Sequence, residues 1–170
     1  MKISNQLIDE VVTEVAGEDV IPLVHKLKNK SNFSEFKLAE AIGQKINKTR
    51  NQLYRLLKFN LTFFNRKKDK RKGWYIYYWT FNIKRIKYLY KQLRVQKIER
   101  LKDRLDREKS EYFFKCPNDC MRINFERAAE FEYKCPECGG IFQNEDNNEK
   151  KAGIEKEIKQ LEKEIKNLNY

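Results

Sequence analysis

The chain has 170 residues, four cysteines and a formal net charge of +12, with 40% hydrophobic and 36% charged residues, a length suited to one ordinary domain or two small ones. No apolar run approaches the roughly 20 residues of a membrane span, and residues 1–7 lack the apolar core of a secretory signal, so a cytoplasmic protein with no membrane partner is expected. The charge is localised: residues 1–44 sum to −2, residues 45–100 to +16 and residues 101–170 to −2. That is the footprint of a chain that meets a polyanion, nucleic acid first, since a merely solubilising face would mix both signs.

In chain order, Ile3, Leu7, Ile8, Val11, Val12 and Val15 share one face of an amphipathic helix that ends before Gly17. Three more helices are expected between Asp19 and Phe59. Val20, Leu23, Val24 and Leu27 line the first, whose Pro22 is tolerable in an opening turn. Phe36, Leu38, Ala39 and Ile42 line the second, closed by Gly43. The third starts at Asn47 as N-cap and buries Leu53, Leu56 and Leu57, leaving Lys48, Arg50, Asn51 and Arg55 on a polar, basic face.

After Phe59 the period becomes extended. Residues 61–65 and 73–81 are rich in aromatic and β-branched side chains, and Arg66, Lys67, Lys68, Lys70, Arg71 and Lys72 surround the lone Asp69 between them. This predicts a β-hairpin with a basic tip. Three helices followed by such a hairpin make a winged helix. Trp79 and Phe81 suit the core, whereas Trp74 and Tyr75, next to the tip, are candidates to meet unpaired bases while the cations hold phosphates. Asn82 can cap a long helix whose Ile83, Ile86, Tyr90 and Leu93 could cover the sheet. Its second half, to about Lys109, is so polar that a solvated spacer is expected.

Two cysteine clusters follow, Cys116-Pro-Asn-Asp-Cys120 and Cys135-Pro-Glu-Cys138-Gly139-Gly140, separated by 14 residues. They read as two knuckles converging on one structural, tetrahedral zinc ion, with no position open for catalysis. Disulfides are the alternative, disfavoured without a secretory signal. The 14 residues allow a strand out and a strand back, and residues 112–115 and 130–134 read as the strands leading into each knuckle. Residues 144–150 read as a flexible link. Beyond it Ile154, Ile158, Leu161, Ile165 and Leu168 form a heptad seam about two heptads long, too short to stand alone and expected to dock on another helix or a partner.

The expected class is thus α+β in two small domains: an extended winged helix (1–82), a linking helix (83–109), a four-cysteine zinc ribbon (110–143) and a charged helical tail (144–170). This order resembles archaeal transcription factor E, counterpart of the alpha subunit of eukaryotic general transcription factor IIE. The resemblance rests on the second wing strand and its cap, Gly73-Trp-Tyr-Ile-Tyr-Tyr-Trp-Thr-Phe-Asn82, on Tyr112-Phe-Phe-Lys-Cys-Pro-Asn118 with Phe131-Glu-Tyr-Lys-Cys-Pro-Glu-Cys-Gly-Gly140, and on Asn51-Gln-Leu-Tyr-Arg-Leu56. The first knuckle departs from the pattern by an extra residue, with Met121-Arg122 where a glycine would ease the turn.

The resemblance implies a factor bound to the clamp and stalk of RNA polymerase, beside promoter-bound basal factors and promoter DNA near the melted region, with room for a second factor subunit. It also implies association with the nucleoid, and a role in opening the promoter and stabilising the open complex. The rival reading is a sequence-specific regulator whose Lys48, Arg50, Asn51 and Arg55 read base edges. An enzyme is not expected: His25 is the only histidine, and no Walker loop, nucleophile elbow or carboxylate-rich metal motif is present.

Overall fold

The computed structural model describes residues 3–70 and 73–168, so Arg71 and Lys72 of the basic tip lie outside the described residues. The architecture is α+β, with seven α-helices and two three-stranded sheets among the described residues. The chain divides into two compact units, residues 1–92 and 93–170. No described helix is long and apolar enough to cross a membrane.

In the first unit, α1 (Asn5–Ala16) is capped by Ser4, whose Oγ accepts from the Leu7 amide, and it buries Ile8, Val11, Val12 and Ala16. A short 3₁₀ turn (Glu18–Val20) precedes α2 (Ile21–Leu27), which holds Pro22 in its first turn and buries Leu23, Val24 and Leu27. The two-residue strand β1 (Phe33–Ser34) then leads into α3 (Glu35–Ala41). Leu38 and Ala39 of α3 are buried, but Phe36, expected in the core, is exposed beside the Arg50 guanidinium.

The next helix, α4 (Ile46–Lys58), begins one residue before the expected cap: Lys45 has the extended N-cap backbone, and Asn47 lies within the first turn. Its inner face carries Leu53 and Leu56. The strands β2 (Thr62–Lys68) and β3 (Tyr75–Phe81) form the hairpin, paired from Thr62↔Phe81 to Lys68↔Tyr75. β1 adds to the free edge of β3 through Phe33↔Trp79, giving the order β1-β3-β2. Trp79 and Phe81 are buried as expected, because strand alternation aims them at the helices with Thr62.

α5 (Ile83–Ser110) runs from the first unit into the second, and its Ile86, Leu89 and Tyr90 are buried. Asn82 stands just before it with its side-chain amide donating to the Asn60 carbonyl. The second unit contains β4 (Phe113–Lys115), β5 (Arg122–Asn124), α6 (Phe125–Glu130), β6 (Gln143–Asn144) and α7 (Asn148–Leu168), with sheet order β5-β4-β6.

Three expectations are corrected in this unit. The second half of α5 is not a solvated spacer: Ile98, Leu101 and Leu105 pack against Ile154, Ile158, Leu161 and Ile165 of α7. The heptad seam has therefore docked on another helix, antiparallel to it, as the pairs Lys109–Glu155 and Arg94–Glu164 near opposite ends indicate. Residues 144–150 are not a flexible link, because β6 pairs with β4, Asn147 is buried and Glu145 is held by Arg122 and Lys150. Residues 130–134 are not a strand. Helix α6 follows β5 between the clusters and ends at Glu130, and Glu132 and Tyr133 take left-handed backbone, φ 50° and 56°.

Candidate functional site

The two cysteine clusters come together. Cys116 and Cys135 are buried, Cys120 and Cys138 exposed, all four are free thiols, and their sulfurs lie within 4.8 Å of one another. Thiolates bound tetrahedrally to zinc at about 2.3 Å stand about 3.8 Å apart; the 3.3 Å between the sulfurs of Cys116 and Cys138 and the 4.8 Å limit on all pairs bracket that edge. The cluster therefore fits a metal ion, and four sulfurs leave no position for water.

The extra residue of the first knuckle reflects a cysteine shifted by one position. The Cys116 amide donates to the Met121 carbonyl at 3.0 Å, just as the Cys135 amide donates to Gly140 at 2.8 Å, so both loops close over the same number of residues. Cys120 then occupies the place that Gly139 has in the second knuckle, and Asp119 the place of Cys138. Gly139 takes φ 72° and Asp119 φ 56°; a short polar side chain tolerates that region, so no glycine is needed after Cys120.

The thiols perturb each other as such crowding requires. Hydrogen bonding to Cys138 and then Cys116 pushes Cys120 up to about 12. The backbone at Gly140, followed by Cys116, pulls Cys138 down to about 6. Four thiolates cannot all ionise this close together without a cation, and a dication removes the conflict.

The module around the cluster is clasped by charge. Arg122 on β5 donates to Glu108 at the end of α5 at 2.7 Å and to Glu145, and its guanidinium lies 3.7 Å from the Phe113 ring centroid. Asn147 donates to both the carbonyl and the carboxylate of Glu108, at 2.8 and 2.9 Å. Burial pushes the Glu108 carboxyl up, but the bonds from Arg122 and Asn147 together hold it below its ordinary value. Glu145 is held low in the same way by Lys150 and Arg122 against its burial. None of this network was expected from the sequence. On the opposite flank Phe114, Phe125 and Tyr133 cluster at centroid separations of 5.4–6.3 Å, and Phe125, Tyr112 and Ile141 are exposed.

In the first unit the expected contact residues divide into two groups. On α4, Arg50 donates to the buried Glu35 at 2.6 Å, and that bond raises the Arg50 pKa. Arg55 pairs with Asp19, whose carboxyl the Arg55 guanidinium holds below the carboxylate range with help from Gln52. Only Lys48 of the three helix cations is exposed without an ion pair among the described residues.

The hairpin is different. Arg66, Lys67 and Lys68 belong to β2 and not to the loop, and Lys70 follows Asp69 in the tip, which closes through Asp69 and Trp74 (2.8 Å) and through Gly73 and Asp69 (3.0 Å). Among the described residues no carboxylate pairs with these four cations, and all are exposed. Trp74 and Tyr75 are 54% and 48% exposed. The Arg66 guanidinium lies 4.7 Å from the Tyr75 centroid, and the Lys67 ammonium 5.6 Å from that of Tyr78. Cations interleaved with exposed aromatic side chains are what a phosphate-and-base contact requires.

Comparison with known proteins places the chain in a family. The family model for the TFIIE alpha subunit matches residues 6–110. A transcription factor E of Metallosphaera sedula is 35% identical over 95% of this chain and 92% of its own length. Those of Pyrococcus abyssi and Methanocaldococcus jannaschii are 33% and 32% identical over 97% of this chain, and over 87% and 96% of theirs. The chain belongs to the transcription factor E family and is a basal transcription initiation factor, not an enzyme.

Proposed function

We propose that the first unit is a winged helix with β2 and β3 as its wing, and that the second holds one structural zinc ion through Cys116, Cys120, Cys135 and Cys138 in a ribbon joined to the winged helix by α5 and followed by the α7 tail. In the cell the factor is cytoplasmic and nucleoid-associated. It rides on RNA polymerase, with the winged helix on the clamp and the ribbon near the clamp and stalk, beside promoter-bound basal factors and, where one exists, a second factor subunit. The exposed Tyr112, Phe125 and Ile141 are the kind of apolar surface that a protein partner covers. Four thiolates favour zinc among the common divalent ions.

The observation that carries the DNA part of this reading is the hairpin, where Arg66, Lys67, Lys68 and Lys70 have no carboxylate partner among the described residues and lie beside the exposed Trp74 and Tyr75. Such a wing holds phosphates and stacks on unpaired bases near the melted region. The regulator alternative needs Lys48, Arg50, Asn51 and Arg55 to read a groove, and the ion pairs of Arg50 with Glu35 and Arg55 with Asp19 weigh against it.

Neutralising Arg66, Lys67, Lys68 and Lys70 should lower the salt slope of DNA association by up to about 0.9 per lost phosphate contact, with helical folding retained because exposed charges contribute little to stability. An unchanged slope would show the wing to be a solvated hairpin.

The factor shifts promoter DNA toward the open state by binding that arrangement more tightly. A coupling of about 1–3 kcal/mol corresponds to roughly 5- to 150-fold. Base reactivity at the start site, measured with polymerase and basal factors on a weak promoter, should rise when the protein is added. Deleting the wing should reduce the gain, and a pre-melted promoter should show little of it. Equal reactivity with and without the protein, together with a discrete footprint on free duplex, would move the assignment to the regulator.

A further inference from the structure

The tail helix α7 has a second charged surface that segment sums conceal, because residues 101–170 carry 14 basic and 16 acidic side chains and look balanced. The fold sorts these signs. Ile154, Ile158 and Leu161 face α5, and the flanking carboxylates turn toward its cations: Glu155 to Lys109 at 2.8 Å, Glu157 to Lys97 at 2.7 Å, Glu162 to Lys102 at 4.0 Å and Glu164 to Arg94 at 3.1 Å. At 3.6 residues per turn, Lys156, Lys159 and Lys163 fall on the side opposite the seam. All three are exposed, and among the described residues none has an ion pair. Glu155, one turn before Lys159, feels that lysine but is committed to Lys109. The solvent face of α5 has no such bias, since Glu99, Arg100, Asp103 and Arg107 alternate there.

We propose that Lys156, Lys159 and Lys163 form a second polyanion-binding face that holds duplex DNA by its phosphates. The stripe offers no anchor for a protein partner. Beside the lysines lie Ala152 and Gln160, and residues 148–168 contain no aromatic side chain, whereas protein interfaces are centred on buried aromatic or apolar anchors. Without rings to stack on bases, the contact is to phosphate alone and independent of sequence. Seven residues of helix span about 10 Å, or about three steps of 3.4 Å along one strand. The wing and α7 would thus be two separate DNA contacts, one suited to melted DNA and the other to duplex.

The test is association of the full chain with a mixed-sequence duplex as a function of salt, without polymerase, so that its outcome is independent of promoter opening. Five proteins are compared: wild type, K156Q/K159Q/K163Q, K156R/K159R/K163R, the wing-neutralised chain, and the wing-neutralised chain with the three glutamine changes added. Glutamine and arginine are good helix formers, so the fold should be unaffected. The glutamine variant should lower the slope of log K against log salt by up to about 2.7, or 0.9 for each of three phosphates. It should do so equally in the wing-neutralised background, while the arginine variant keeps the wild-type slope. An unchanged slope in both backgrounds overturns the proposal and leaves the stripe a solvated face. A loss shared by the arginine variant overturns it too, and so does a crosslinker at position 159 that captures only an acidic protein in the promoter complex.

Discussion

Cys135→Ser is expected to release the metal and unfold the module between α5 and α7, while the first unit keeps its structure. The apolar core around the cluster is small: Ile123, Ala128 and Phe142 are buried with Cys116 and Cys135 themselves, backed by the half-buried Phe114, Met121, Phe131 and Tyr133. Structural zinc supplies about 10–16 kcal/mol in peptides of this kind, as much as the whole stability of an ordinary domain, so no rearrangement of three ligands can replace the fourth. The loss should spread to the helical pair. With the module unfolded, the connection from Ser110 to Asn148 becomes a flexible loop whose closure entropy opposes docking of the α7 seam on Ile98, Leu101 and Leu105. Zinc content should fall from one per chain to near zero, proteolysis should begin within residues 111–147, and the melting of residues 3–92 should be retained. Stoichiometric zinc in both Cys116→Ser and Cys135→Ser proteins would sink the shared site.

The elements legible in the sequence were those whose signal is local. A hydrophobic period places α1, α5 and α7, and richness in aromatic and β-branched side chains places β3. Knuckle chemistry at Cys135-Pro-Glu-Cys138-Gly139 marks the metal cluster, since close spacing of thiolates is itself the chemistry. The failures share a cause. Phe131 and Tyr133 alternate as in a strand, yet α6 ends at Glu130 and the left-handed Glu132 and Tyr133 turn the chain at once. The two-residue β1 exists only because β3 offers it an edge. The polar second half of α5 looked solvated because its thin apolar stripe, Ile98, Leu101 and Leu105, is sufficient only when α7 supplies the matching one.

Charge was legible in amount and not in availability. Arg50 and Arg55 counted toward the basic segment, but their partners Glu35 and Asp19 lie 15 and 36 residues earlier, and no local pattern joins them. Arg66, Lys67 and Lys68 have no carboxylate partner among the described residues, because β2 and the β3 strand it pairs with carry no acidic side chain. Lys156, Lys159 and Lys163 have no ion pair among the described residues for the complementary reason, since docking on α5 engages the acids beside them.

Arg122→Met should destabilise the second unit by about 3 kcal/mol, the usual cost of leaving a buried charge without its partner. Glu108 is 5% exposed, and Arg122 is its only cationic hydrogen-bond donor among the described residues. Methionine keeps much of the aliphatic stem over Phe113, so the loss reports the charge more than the packing. Replacing both members, Arg122→Met with Glu108→Leu, should recover most of the stability, because a buried pair exchanged for apolar side chains is close to neutral.

The pH dependence gives an independent sign. In the wild type, Glu108 and Glu145 are held below their ordinary values near 4.5, so their contribution is complete above the unfolded value and is lost as pH falls through the folded one. In Arg122→Met, burial acts on Glu108 with Asn147 as its remaining donor and raises its carboxyl above the unfolded value. Stability relative to the Glu108→Gln/Arg122→Met chain should then fall as pH rises through the raised value, opposite to the wild type. Comparison at each pH between chains with the same four cysteines cancels acid release of the metal. A double variant as unstable as Arg122→Met, with both losing stability on acidification as the wild type does, would show that the clasp acts through packing and not through charge.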